Sequence, residues 1–107
     1  TAKFAEDCRD FVKRLPRSVT NIEYAKQLAR SSSSQAANYI EANESVSNKD
    51  LVHRLKICRK ETKETSLWLR LCETTNDINM ASLKDKLAGE ALELRKIFTA
   101  IINKNSL

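Results

Sequence analysis

The chain has 107 residues, 31% of them charged, and a formal net charge of +5. That length suits one domain over residues 1–107 with one core. With one Gly, one Pro and no Asn-Gly or Asp-Gly pair, a sheet protein, which needs many tight turns, is excluded, and an all-α architecture is expected.

The first apolar series is Phe4, Cys8, Phe11, Val12 and Leu15. Its helical spacing predicts a helix from Lys3 to Leu15. Pro16 ends it, because proline lacks the N–H that the ladder needs, and Arg17 to Thr20 makes the turn.

The second helix is expected to start at Thr20 or Asn21, either of which can cap. Ala25, Leu28, Ala29, Ser32, Ala36, Tyr39, Ile40 and Asn43 hold one helical face through the Ser31–Ser34 run. The frame survives the serines, so they are read as a small-residue stripe that lets a neighbouring helix approach. The helix ends near Glu44. Gln27, Ser31, Ser34, Asn38 and Glu41 form a polar line away from the alanines: a hydrogen-bonded subunit contact, a ligand surface or plain exposed surface.

The third helix is capped by Ser47 or Asn48 and runs to about Thr75. Leu51, Leu55, Cys58, Thr62, Thr65, Leu69 and Cys72 alternate steps of four and three, as in a bundle seam. The fourth is expected from a Ser82 cap to about Asn103, with Leu83, Leu87, Ala91, Leu94, Phe98 and Ile101 inward and the tail from Asn103 to Leu107 frayed. Four amphipathic helices on short loops predict an antiparallel up-down-up-down four-helix bundle.

Several stretches are similar to one bacterial family. They are QLARSSSSQAANYIEA at 27–42 and SNKDLVHRLKICRKETKETSLWL at 47–69, with FVKRLP at 11–16 and ELRKIF at 93–98. Together they resemble the four-helix-bundle family also called the 23S rRNA-intervening-sequence proteins. The family usually carries an aromatic where Leu51 stands, alanine where Cys58 stands and a glycine near Gln35 or Ala36; these departures concern packing. The resemblance implies a bundle that often assembles as a ring-like homopentamer. Some members are encoded within insertions in large-subunit ribosomal RNA genes. A related protein that assists diversity-generating retroelements is a basic pentamer that binds nucleic acid. Family membership speaks to fold more strongly than to function.

Lys49, His53, Lys56, Lys60 and Lys63 step by four, three, four and three, nearly opposite the seam of the third helix. Lys13, Arg14 and Arg17 gather at the first turn, and Lys26 and Arg30 lie one turn apart. These cations are the candidate contacts to RNA or DNA phosphates. Glu61 and Glu64 are close enough in sequence to dilute the stripe, whose bland reading is an ordinary solvated face. No aromatic interleaves it, so base stacking is not expected and sequence preference should be low. Ile57, Leu67, Trp68 and Leu71, and Leu92 on the fourth helix, fall off the seams. Together with Ser34, Asn38 and Glu41 they are the candidate oligomer interface.

No enzyme is expected. A dimetal bundle needs Glu-x-x-His pairs on two helices, and His53 is the lone histidine. Cys8, Cys58 and Cys72 lack zinc spacing and are read as buried hydrophobes. Cys58 and Cys72 stand about 21 Å apart along one helix, too far to bridge. No metal, cofactor, membrane or small-molecule substrate is expected, and a cytoplasmic location is. The expected role is a homo-oligomer that binds nucleic acid through its basic surface. The alternative is a protein–protein assembly module with no nucleic-acid role.

Overall fold

Pro16 and three capped loops divide the chain as the period suggests. The computed structural model describes residues 1–106, with α1 at Ala2–Arg14, α2 at Val19–Asn43, α3 at Asn48–Leu71 and α4 at Ile78–Asn105. There is no strand among the described residues. Each helix packs on its neighbours in chain order, and α1 closes the square against α4. The result is an antiparallel up-down-up-down four-helix bundle, a rod of 48 × 19 × 19 Å.

The boundaries differ from the sequence expectation where caps compete. α1 stops one residue early, because Leu15, next to Pro16, is forced extended at ψ 137°. Ser18, not Thr20 or Asn21, caps α2 by accepting from the Asn21 N–H at 3.1 Å. α3 ends at Leu71 rather than near Thr75, and Cys72 is its extended cap. α4 starts four residues before Ser82, capped by Asp77, which accepts from the Met80 N–H at 3.1 Å. Met80 is 2% exposed; burying it requires the helix to begin ahead of it. Helix continues through Asn105, so the expected fraying from Asn103 is not seen there; Leu107 lies outside the described residues.

Length mismatch shapes the core. α1 has 13 residues against 25 in α2, or about 20 Å against about 37 Å. One apolar cluster draws on all four helices, with Phe4, Cys8 and Phe11 of α1 on Leu28, Leu69 and Leu87. The other, Ala42, Leu55, Cys58, Phe98 and Ile102, contains no α1 residue. Gln35 stands at the step, fully buried, and donates through Nε2 to the Thr1 carbonyl at 3.0 Å.

The serine run is helix throughout, as its apolar frame requires. Ser31 and Ser32 are buried. The Ser31 Oγ meets Thr65 Oγ1 at 2.7 Å, so small hydroxyls let α2 and α3 approach while keeping their polar atoms paired. Ser31 therefore leaves the surface line where it was expected. Ala29, Ile40 and Asn43, expected to face inward, are exposed, Ile40 at 60%. At Ile40 and Asn43 the frame fails because α1 does not reach that far to cover it; Ala29 lies beside Ala5 and Arg9 of α1 at the open edge between the two helices.

Candidate nucleic-acid interface on the basic faces

The inward face of α3 determines what its outer face carries. Leu55, Cys58, Thr62, Thr65 and Leu69 are buried. At about 100° per residue that leaves Lys49, His53, Lys56, Lys60 and Lys63 outward, and all five are exposed. Among the described residues no carboxylate lies within 4.0 Å of these four lysines. The stripe extends over about 21 Å. Arg70, two further steps beyond Lys63 by way of Leu67, prolongs it and is exposed and unpaired on the same criterion. Sequence reasoning missed Arg70, although the 63–67–70 spacing continues the series.

Of the two glutamates of α3, Glu61 is turned off the stripe, whereas Glu64 is partly exposed beside Lys60, Lys63 and Arg70. Glu61 is 8% exposed and turned toward α2, where its Oε2 lies 3.1 Å from Arg30 Nη1. Arg30 Nη2 lies 3.7 Å from Glu64 Oε2, and Arg30 Nε donates to Gln27 Oε1 at 3.2 Å. Arg30 is thus committed to two carboxylates and is not a free phosphate ligand, contrary to the sequence expectation. Lys26 is exposed but shares Glu23 at 3.5 Å. Lys13, Arg14 and Arg17 are exposed at the α1–α2 corner with no such partner among the described residues.

The candidate subunit contacts scatter. Ser34 and Asn38 are half-buried and linked, with Asn38 Nδ2 donating to the Ser34 carbonyl at 2.9 Å. Arg54 Nη1 donates to Asn38 Oδ1 at 3.4 Å. Glu41 is exposed. Ile57 and Leu71 are half-buried, and Leu67 is 38% exposed in the middle of the basic line. Trp68, expected at the side or rear, packs on the first core cluster and stacks on Tyr24, the ring centroids 6.2 Å apart. Its Nε1 and the Glu64 Oε2 one turn earlier are both buried without a hydrogen-bond partner. Leu92 is 46% exposed, as expected.

The three thiols are free and buried. Burial pushes Cys8 up to about 12 and Cys58 and Cys72 up to about 11, because an apolar surround penalises the thiolate. None of them bonds His53, which is exposed on the stripe. Among the described residues no three His, Cys, Asp or Glu side chains gather as metal ligands.

The family model described as 23S rRNA-intervening sequence protein matches residues 1–100. The chain belongs to that family. A solved structure of the same fold is that of a protein of unknown function from the S23 ribosomal protein family of Bacteroides thetaiotaomicron. It is 28% identical, with a TM-score of 0.75, over 94% of this chain and 93% of that one. No curated protein matches. Within the 23S rRNA-intervening sequence family this chain thus keeps the four-helix architecture. No helix among the described residues is long and apolar enough to cross a membrane.

Proposed function

We propose that this family member is a non-enzymatic, homo-oligomeric accessory protein that holds RNA or DNA by its phosphates with little sequence preference. The observation that carries the reading is the outer face of α3: Lys49, Lys56, Lys60 and Lys63 exposed in one row, with Glu61 drawn aside by Arg30. A linear row of unpaired ammonium groups suits a run of phosphates and the release of their counterions. The row offers no aromatic ring to stack on a base, so the charge of the strand, not its sequence, would be read. The family's name, which refers to the 23S ribosomal RNA intervening sequence, agrees with a nucleic-acid setting.

Self-association, in a ring of five as the family resemblance implies, is part of the same reading. The exposed Leu67, Leu92 and Ile97 supply apolar surface for it. Repetition of the row around an assembly would multiply weak phosphate contacts by effective concentration. The same apolar residues also support the second reading, a protein-assembly module that never meets nucleic acid.

Anisotropy titration with a random-sequence oligonucleotide separates the two. Binding should weaken linearly in log salt, and replacing Lys56, Lys60 and Lys63 by Ala should flatten the slope by roughly 3 for duplex. No binding at about 50 mM salt removes the first reading. Light scattering across a concentration series tests self-association, and a monomer throughout removes that part of it.

A further inference from the structure

Pro16 and the α2 cap build a second basic feature unlike the α3 row. A crevice of ≈ 380 Å³ opens between the last turn of α1 and the first two turns of α2. Its floor includes the apolar groups of Val12, Pro16, Ile22 and Ala25, and Lys13, Arg17 and Lys26 stand around it; no carboxylate lines it. The floor is held in place. Asn21 Nδ2 donates to the Pro16 carbonyl at 2.8 Å and to the Glu73 carbonyl at 2.9 Å, and Leu15 is anchored in the core.

An apolar floor with a cationic rim suits a ligand with a flat, weakly polar body and a doubly charged end. The volume is near the low end for small-ligand pockets, enough for one nucleoside. Lys13 and Arg17, with no carboxylate partner, and Lys26, which shares Glu23 at 3.5 Å, favour a phosphomonoester dianion over a singly charged carboxylate or the diester inside a strand, and the Arg17 guanidinium offers a planar fork for two phosphate oxygens. The concave shape, walled by two helices, disfavours a flat bilayer surface.

We propose that this corner binds a nucleoside phosphomonoester, either a free nucleotide or the phosphorylated end of a strand. The inference deepens the nucleic-acid reading above and rests on it. It adds a small-molecule ligand where the sequence expectation was of no small-molecule substrate. The α3 row would track the strand, and the corner would hold its end.

The test uses the full chain with adenosine 5′-monophosphate, adenosine and inorganic phosphate by calorimetry, and with short oligonucleotides bearing a 5′-phosphate, a 3′-phosphate or only hydroxyl ends by anisotropy. The monophosphate should bind about tenfold tighter than adenosine or phosphate alone. If the strand end is the physiological source, a terminal phosphate strengthens oligonucleotide binding several-fold. If the free nucleotide is the source, only the monophosphate shows the gain. The Lys13→Ala, Arg17→Ala, Lys26→Ala triple variant should erase either gain while hydroxyl-ended strands still bind through α3. Arg17→Lys should keep part of it. The α3 alanine variant should do the reverse, keeping the phosphate gain and losing strand binding. Monophosphate binding with no binding of any strand leaves the corner standing and removes the α3 reading. Monophosphate no tighter than adenosine, with no end effect in strands, overturns the proposal. So does corner-dependent retention on phosphatidylglycerol vesicles without nucleotide competition.

Discussion

Arg30 Nη1 lies 3.1 Å from Glu61 Oε2 across the α2–α3 seam, joining a half-exposed guanidinium to a carboxylate that is almost wholly buried. The pair does two things at once: it satisfies a buried acid, and it holds that acid off the lysine face of the same helix.

Breaking the pair from one side should therefore cost more than deleting it. Arg30→Met leaves Glu61 buried without its cation, for a loss of about 1–3 kcal/mol in urea unfolding. Arg30→Met with Glu61→Met should recover much of that. The coupling in the double-mutant cycle measures the pair; additive single effects would contradict it.

Asn21 ties both turns at one end of the rod. Its Nδ2 donates to Pro16 and Glu73 carbonyls, and its Oδ1 accepts from the Glu73 N–H at 2.9 Å. Asn21→Ala should cost about 1–3 kcal/mol through unpaired buried groups. Asn21→Asp, nearly the same shape, should be no better at neutral pH, because an acceptor then faces two carbonyls. Thermal unfolding of the two variants decides this; a stable Asp variant would mean the bonds contribute little.

The thiols predict an alkaline loss of stability. Each folded-state value lies above the usual 9.0, at about 12 for Cys8 and about 11 for Cys58 and Cys72. Between about pH 9 and the folded values the unfolded chain has lost protons that the native chain keeps. Stability should therefore be intact below about pH 9 and fall above it. A Cys8→Ser, Cys58→Ala, Cys72→Ala variant should lose most of that slope, although repacking lowers its overall stability. In the native state at pH 8 all three thiols should react slowly with a thiol reagent, and quickly once the chain is unfolded.

Two backbone exchanges should stabilise. Gly89 lies inside α4 with open space where a Cβ would go, so Gly89→Ala should add about 0.5–1 kcal/mol. Thr75 sits at φ 55° in the α3–α4 loop, a region that β-branched side chains disfavour. Thr75→Gly should raise the melting temperature, and a decrease would show that its side chain holds the loop.

Periodicity made the bundle legible before any coordinates. Leu55, Cys58, Thr62, Thr65 and Leu69 recur at the step that returns a helix to one side, so their burial follows from spacing alone. The lysines opposite them had to face water for the same reason. Local chemistry was less decisive at the ends: Ser82 and Asp77 are both cap residues, and the burial of Met80 chose between them.

What the one-dimensional string determined, then, is which side of α1, α3 and α4 turns inward, since there the apolar period depends only on residues within a few turns of one another; for α2 it did so only in part. How the helices sit against each other belongs to the tertiary structure alone. The rotation of α2 on α3 made Arg30 a partner of Glu61 instead of a phosphate ligand and drew Ser31 inside against Thr65. The short reach of α1 left Ile40 in water. Those outcomes are contacts between residues far apart in the chain, and no helical period encodes them.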